Sequence, residues 1–203
     1  MKEFNRAIKS GNSKLNKQCG IFNISCIYDC SYCYMKKLTK VYPNIKESWE
    51  RNKELSMSTD FVRETVKVIK RRKYKYFRVH AMGEFYDAEY LKLWYDIARE
   101  CKGVKFYAYS KNYDVVAACK DLKPDNFTMV YSVKKIDGID YPSLKELDSM
   151  GFDSISMISK PIDGALAYKK ELVCQAQGKP KGYCMGKCTR CAEKGQFIVL
   201  PLH

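Results

Sequence analysis

The sequence predicts an α/β fold assembled from parallel βα units, and three observations lead there. Short runs rich in Val, Ile, Phe and Tyr alternate along the chain with longer segments of helical apolar periodicity. Capping and turn residues separate the two kinds of segment. A length of 203 residues suits one domain with a sizeable core, and a second complete domain would be a squeeze. About five or six parallel strands are expected, followed by a cysteine-rich C-terminal extension.

Residues 1–19 are polar and basic and read as an N-terminal extension. A first strand, Ile21 to Ser25, runs into a cysteine-bearing loop, and a less regular stretch follows through Val41, Tyr42, Pro43 and Trp49. A helix over 60–71 carries Phe61, Thr65, Val66 and Ile69 on one side, with Ser58, Thr59 or Asp60 as N-cap, and feeds a strand over 76–81. After a capping Asp87, Tyr90, Leu91, Trp94, Ile97, Ala98 and Cys101 keep helical spacing until Gly103. Strand 104–110, a short helix over 115–120, strand 127–133, a helix over 143–150 and strand 154–158 continue the alternation. A helix over 165–174 leads into the tail, where 197–200 supplies a last strand.

The composition is globular, with 46% hydrophobic and 30% charged residues and no tandem repeat or low-complexity block. The N-terminus lacks an apolar signal core, and no stretch approaches the ~18 apolar residues of a membrane span, so the cytoplasm is the expected location. In that reducing compartment ten cysteines point to metal ligation or catalysis before disulfides. A net charge of +14 attracts polyanions, although much of it is spread over helix faces where it serves solvation; the densest run is Lys70 to Arg78.

The segment CIYDCSYCY places Cys26, Cys30 and Cys33 on one tight loop after the first strand. Three close thiolates call for a cation, and a cubane cluster with three protein ligands keeps one iron open for substrate. A zinc site, or a disulfide pair plus a free thiol, is the structural alternative. The Cys-x3-Cys-x2-Cys spacing, with Tyr32 before the third Cys, resembles the radical SAM superfamily, and the whole arrangement looks like the small radical-SAM-like proteins of phage genomes.

That resemblance implies a partial (β/α) barrel over 20–165 and an extension over 166–203. It implies a 4Fe–4S cluster on the trio that reductively cleaves S-adenosyl-L-methionine to a 5'-deoxyadenosyl radical. Met82, Gly83 and Glu84, after the second strand, resemble the Gly-Gly-Glu element that holds the methionine amino group, with Met82 in place of the first glycine. Ser110, Ser132 and Lys134, at the ends of the next two strands, are candidate cofactor contacts. A one-electron donor such as flavodoxin or ferredoxin would be the partner, and the substrate a peptide, a nucleic acid or a small molecule. His80 alternates with Arg78 and Met82 onto one face of the second strand, a catalytic residue acting as substrate contact or proton donor if that face lines the barrel and a hydrogen-bonded core histidine if it does not.

The tail repeats the spacing at Cys184, Cys188 and Cys191, with Cys174 ten positions before them. Four thiolates can close a second 4Fe–4S cluster or a zinc site, with free thiols as the bland reading. Lys179, Lys181, Lys187 and Arg190 would offset its negative charge. Cys19, Cys101 and Cys119 read as small hydrophobes. Two rival functions stand beside the enzyme: a non-catalytic nucleic-acid-binding protein stabilised by zinc at both cysteine groups, and an electron carrier that no longer cleaves the cofactor.

Overall fold

Strand pleat divides the apolar residues of this chain between two sheet faces. In the computed structural model, which describes residues 2–28, 30, 33, 35–134, 142–159, 173–176 and 178–201, seven strands form one sheet in chain order. They are β1 (Ile8–Ser10), β2 (Cys19–Phe22), β3 (Tyr76–Val79), β4 (Lys105–Ser110), β5 (Phe127–Lys134), β6 (Ser154–Ser159) and β7 (Phe197–Pro201). The β1 strand runs antiparallel to β2, and every later pairing is parallel. The described helices are α1 (Lys2–Ala7), α2 (Met35–Val41), α3 (Pro43–Ser56), α4 (Phe61–Arg72), α5 (Ala88–Glu100), α6 (Tyr113–Ala118) and α7 (Leu144–Ser149), with short 3-10 turns at Lys120–Leu122 and Arg190–Ala192.

One face carries Phe22, Phe77, Val79, Phe106, Ala108, Phe127 and Met129, buried beneath the apolar stripes of α4 and α5. Trp94 of α5 is the hub of this layer, with ring centroids 5.4 Å from Phe61 and 5.5 Å from both Phe22 and Phe77. Asp87 starts α5 by accepting a hydrogen bond from the Tyr90 backbone N–H at 2.7 Å. Ser143 and Glu146 form a reciprocal capping box on α7.

The opposite face carries Cys19, Ile21, Tyr107 and Tyr109, and the tail crosses it with Met185 and Ala192 inward. Leu15 joins that cluster, so the segments before β2 and before β7 meet over one side of the sheet.

The α/β class and the parallel strands match expectation, with β2 ending three residues earlier than anticipated. The sheet is open among the described residues, and the outer side of β7 meets only the backbone at Val173 and Cys174. Strand β1 escaped notice because three residues carry too little alternation, and α3 because Asn52 and Ser56 are its only buried positions. The expected helix over 165–174 lies almost wholly outside the described residues. Among them, no helix is long and apolar enough to cross a membrane.

Candidate functional site at the carboxyl ends of the strands

The loops after β2, β3 and β4 converge at one end of the sheet, where parallel α/β folds gather their chemistry. The root of the cysteine loop is pinned from two sides. Asn23 Oδ1 accepts the Met82 N–H at 3.0 Å, and the Asn23 carbonyl accepts Asn52 Nδ2 at 2.8 Å. The Ile24 N–H donates to the Met82 carbonyl at 3.2 Å and the Ser25 N–H to the Trp49 carbonyl at 3.3 Å. Gly83, at φ 113°, lies so close to Ile24 that a Cβ would meet Ile24 Cγ1 at 2.6 Å.

Glu84 is 3% exposed and knits two loops together. Its Oε1 accepts the Phe85 N–H at 2.9 Å and the Ser110 hydroxyl at 2.8 Å, and its Oε2 accepts the Lys111 N–H at 2.7 Å. Burial pushes the carboxyl pKa up, and these hydrogen bonds and the Lys111 charge pull against that rise. The Lys111 ammonium reaches back and donates to Cys30 Sγ at 3.4 Å. Cys30 and Cys33 are half-buried, Cys26 is exposed, and the Cys33 N–H closes a turn on the Cys30 carbonyl at 3.0 Å. Glu84, Cys30 and Cys33 all lie within electrostatic reach of the Cys26 thiol.

The sheet thus brings Cys26, Cys30, Cys33, Gly83, Glu84 and Ser110 together. It adds Lys111, whose place at a strand end was legible but whose reach to Cys30 was not. Other candidates lie elsewhere. Ser110 pairs in register with Tyr131, so the next residue, Ser132, projects from the other sheet face, beside Ser156. Lys134 is the last residue of β5, and Tyr32 lies outside the described residues. The backbone of Met82 is engaged by Asn23 and Ile24.

His80 departs from the expected face. A φ of 61° breaks the strand alternation just after β3 and turns the ring into the aromatic core, 4.8 Å from Phe85 and 5.6 Å from Tyr90 between centroids. Its Nε2 bonds the Tyr90 hydroxyl at 2.8 Å, and burial, with Arg78 assisting, holds its pKa down at about 3. It is a neutral core histidine and no proton donor for the loop site.

On the opposite face, the Arg78 guanidinium lies 4.8 Å from the Tyr109 ring centroid and 5.9 Å from that of Tyr107. The Tyr109 hydroxyl donates to Cys191 Sγ at 2.8 Å. Cys174, Cys188 and Cys191 lie within electrostatic reach of Cys184, whose thiol burial pushes up to about 12. Arg78 and Tyr109 were missed as partners of this group, although counting by twos along β3 and β4 puts both on one face.

Among the described residues, no three His, Cys, Asp or Glu side chains converge closely enough to hold a metal. The Glu84 carboxylate is taken up by three protein donors, and Gly83 serves its packing on Ile24. With Glu84 and Gly83 engaged in this way, the loop lends no support to the radical SAM assignment.

The family described as Gene product 88 matches residues 6–195. The "Gene 88 protein" of Mycobacterium phage L5 is 25% identical over 177 residues, which cover 82% of this chain and 73% of that protein. No solved structure matches. The matching family is not the radical SAM superfamily, which overturns the assignment made from the Cys-x3-Cys-x2-Cys spacing, and with it the iron–sulfur chemistry. Among the described residues, no group that could hold the zinc of the nucleic-acid-binding reading is found.

Proposed function

Since the chain belongs to the Gene product 88 family, we propose from its own geometry that it is a thiol–disulfide oxidoreductase with Cys30 and Cys33 as its dithiol. One observation carries this reading: the two cysteines close a single turn, and the Lys111 ammonium sits on Cys30 Sγ. A turn of this kind holds its first and last Cα atoms within roughly 7 Å, the upper edge of the disulfide range. A Cys-x-x-Cys pair beside a βα unit is the arrangement of dithiol redox sites.

In this reading the Cys30 sulfur attacks a substrate disulfide and forms a mixed disulfide while the first substrate thiolate leaves. Cys33 then attacks Cys30, the second substrate thiolate leaves, and two electrons have passed from the dithiol to the substrate. Lys111 stabilises negative charge on the Cys30 sulfur whenever that bond opens. Glu84, bound to the Lys111 N–H and to Ser110, is a positioning residue that fixes where the lysine starts. The sheet serves as the wall of a partial (β/α) barrel, the substrate is a small or peptide disulfide, and the cytoplasm keeps the dithiol reduced.

Equilibration in glutathione buffers, alkylation and mapping of peptide 18–36 tests the reading. A reversible Cys30–Cys33 disulfide is expected, with a potential between about −300 and −120 mV. Lys111→Met should make that potential more negative by roughly 15–30 mV, because the reduced form loses its partner. Cys30→Ser should abolish dithiothreitol-driven reduction of insulin disulfides. A pair that stays reduced throughout, or insulin reduction untouched by Cys30→Ser, would sink the proposal.

A further inference from the structure

The tail holds four thiols outside the site just described, and their backbones are not equivalent. Cys184 and Cys188 face each other across an isolated parallel bridge. Backbones paired in this way lie about 4.8 Å apart, inside the Cα range of roughly 4.4–6.8 Å that a cystine needs. The loop between them is tight. Met185 has φ 58° and its N–H donates to the Cys188 carbonyl at 2.8 Å, while the N–H groups of Lys187 and Cys188 converge on the Tyr183 carbonyl at 2.9 and 3.2 Å. A Cβ at Gly186 would meet the Gly182 carbonyl oxygen at 2.5 Å. Cys191 is turned to the Tyr109 hydroxyl, and Cys174 is bonded through its N–H to Val199 of β7.

The same loop holds the N-terminal segment. The Cys184 N–H donates to the Lys14 carbonyl at 3.2 Å, the Asn16 N–H donates to the Cys184 carbonyl at 2.8 Å, and Asn16 Nδ2 reaches the Gly182 carbonyl at 3.3 Å. Leu15, 2% exposed, lies between those contacts and packs with Cys19, Tyr107 and Met185. Both thiols are half-buried, within reach of a small reagent.

We propose that Cys184 and Cys188 are a second oxidation site, converted to a cystine by a low-molecular-weight disulfide such as glutathione disulfide, and that the bond fastens the tail onto the segment before β2. Cys188 attacks the glutathione disulfide and releases one glutathione; Cys184 then attacks the Cys188 sulfur and releases the second. Two electrons and two protons leave the protein and two glutathione thiols are formed. Burial keeps Cys184 protonated near neutrality, so the closing step should quicken as pH rises. None of this depends on the redox reading of Cys30 and Cys33.

The test uses the full chain carrying Cys30→Ser and Cys33→Ser, equilibrated with glutathione disulfide, alkylated and digested. Trypsin cuts after Lys181, Lys187 and Arg190, so Cys184, Cys188 and Cys191 fall in separate peptides. The expected product is peptide 182–187 linked to peptide 188–190, with the intact mass lower by about 2 Da. Before digestion, native cleavage after Lys17 should slow roughly tenfold on oxidation, because the bond holds that segment down. Separate glutathione adducts on the two thiols, linkage of Cys184 to Cys174 or Cys191, or a metal ion retained by the tail would each overturn the proposal. A Cys188→Ser chain that still shows the slowed cleavage would also overturn it.

Discussion

Protonating His80 would set a positive charge among Phe85, Tyr90 and Trp94, with Arg78 adding to the penalty. Its folded pKa of about 3 lies below the ordinary 6.5, so between those values the unfolded chain binds the proton and the folded one does not. The stability it contributes is complete above pH 6.5 and is lost as pH falls toward 3. His80→Asn keeps a residue that tolerates φ 61° and removes that titration. Denaturant unfolding at pH 7 should show a loss of about 1–3 kcal/mol for the variant, and its stability should fall less steeply than the parent's between pH 6 and 4. The sequence places His80 by strand alternation and Glu84 by its position just after the same strand. What it could not read was one positive φ, which sent His80 to the core while Glu84 went to the loops.

Helix α5 shows how a single cap positions an aromatic layer. Replacing Asp87 with Ala leaves the Tyr90 N–H without its side-chain acceptor at the end of the helix that carries Trp94. The expected cost is about 1 kcal/mol in equilibrium unfolding, with Asp87→Asn retaining most of the stability. Elements like α4 and α5 were legible because apolar stripes and caps agree in their sequences. Elements held by other means were not. Helix α3 is kept in place by Asn52 on Asn23 and by Ser56 on Tyr86, polar contacts that leave no periodic trace. The Cys30 to Lys111 contact is of the same kind, joining loops 81 residues apart in a way that no local spacing announces.

Across the whole molecule, protection should follow the layering. Strands β3, β4 and β5 are covered on the helix side by the aromatic core, and β4 also lies under the tail. Their amides should exchange with solvent only through global unfolding, whereas α3, with two buried positions, should open locally and exchange at least about a hundredfold faster in native hydrogen exchange. Equal protection of α3 and β4 would contradict this layering. The basic excess is likewise partly absorbed inside: Arg72 donates to the carbonyls of Asn5 and Ile8, and Lys123 meets the buried Asp153 at 2.7 Å. Strand order equal to chain order has a kinetic meaning. As synthesis proceeds, each new βα unit finds its edge already formed, so the sheet can grow by stepwise docking during translation. The contact of Leu15 with Cys184 has to wait until 169 further residues have been added, so the nascent sheet carries one uncovered apolar side until the tail arrives. In that interval Leu15, Cys19 and Ile21 are the surface a chaperone would find.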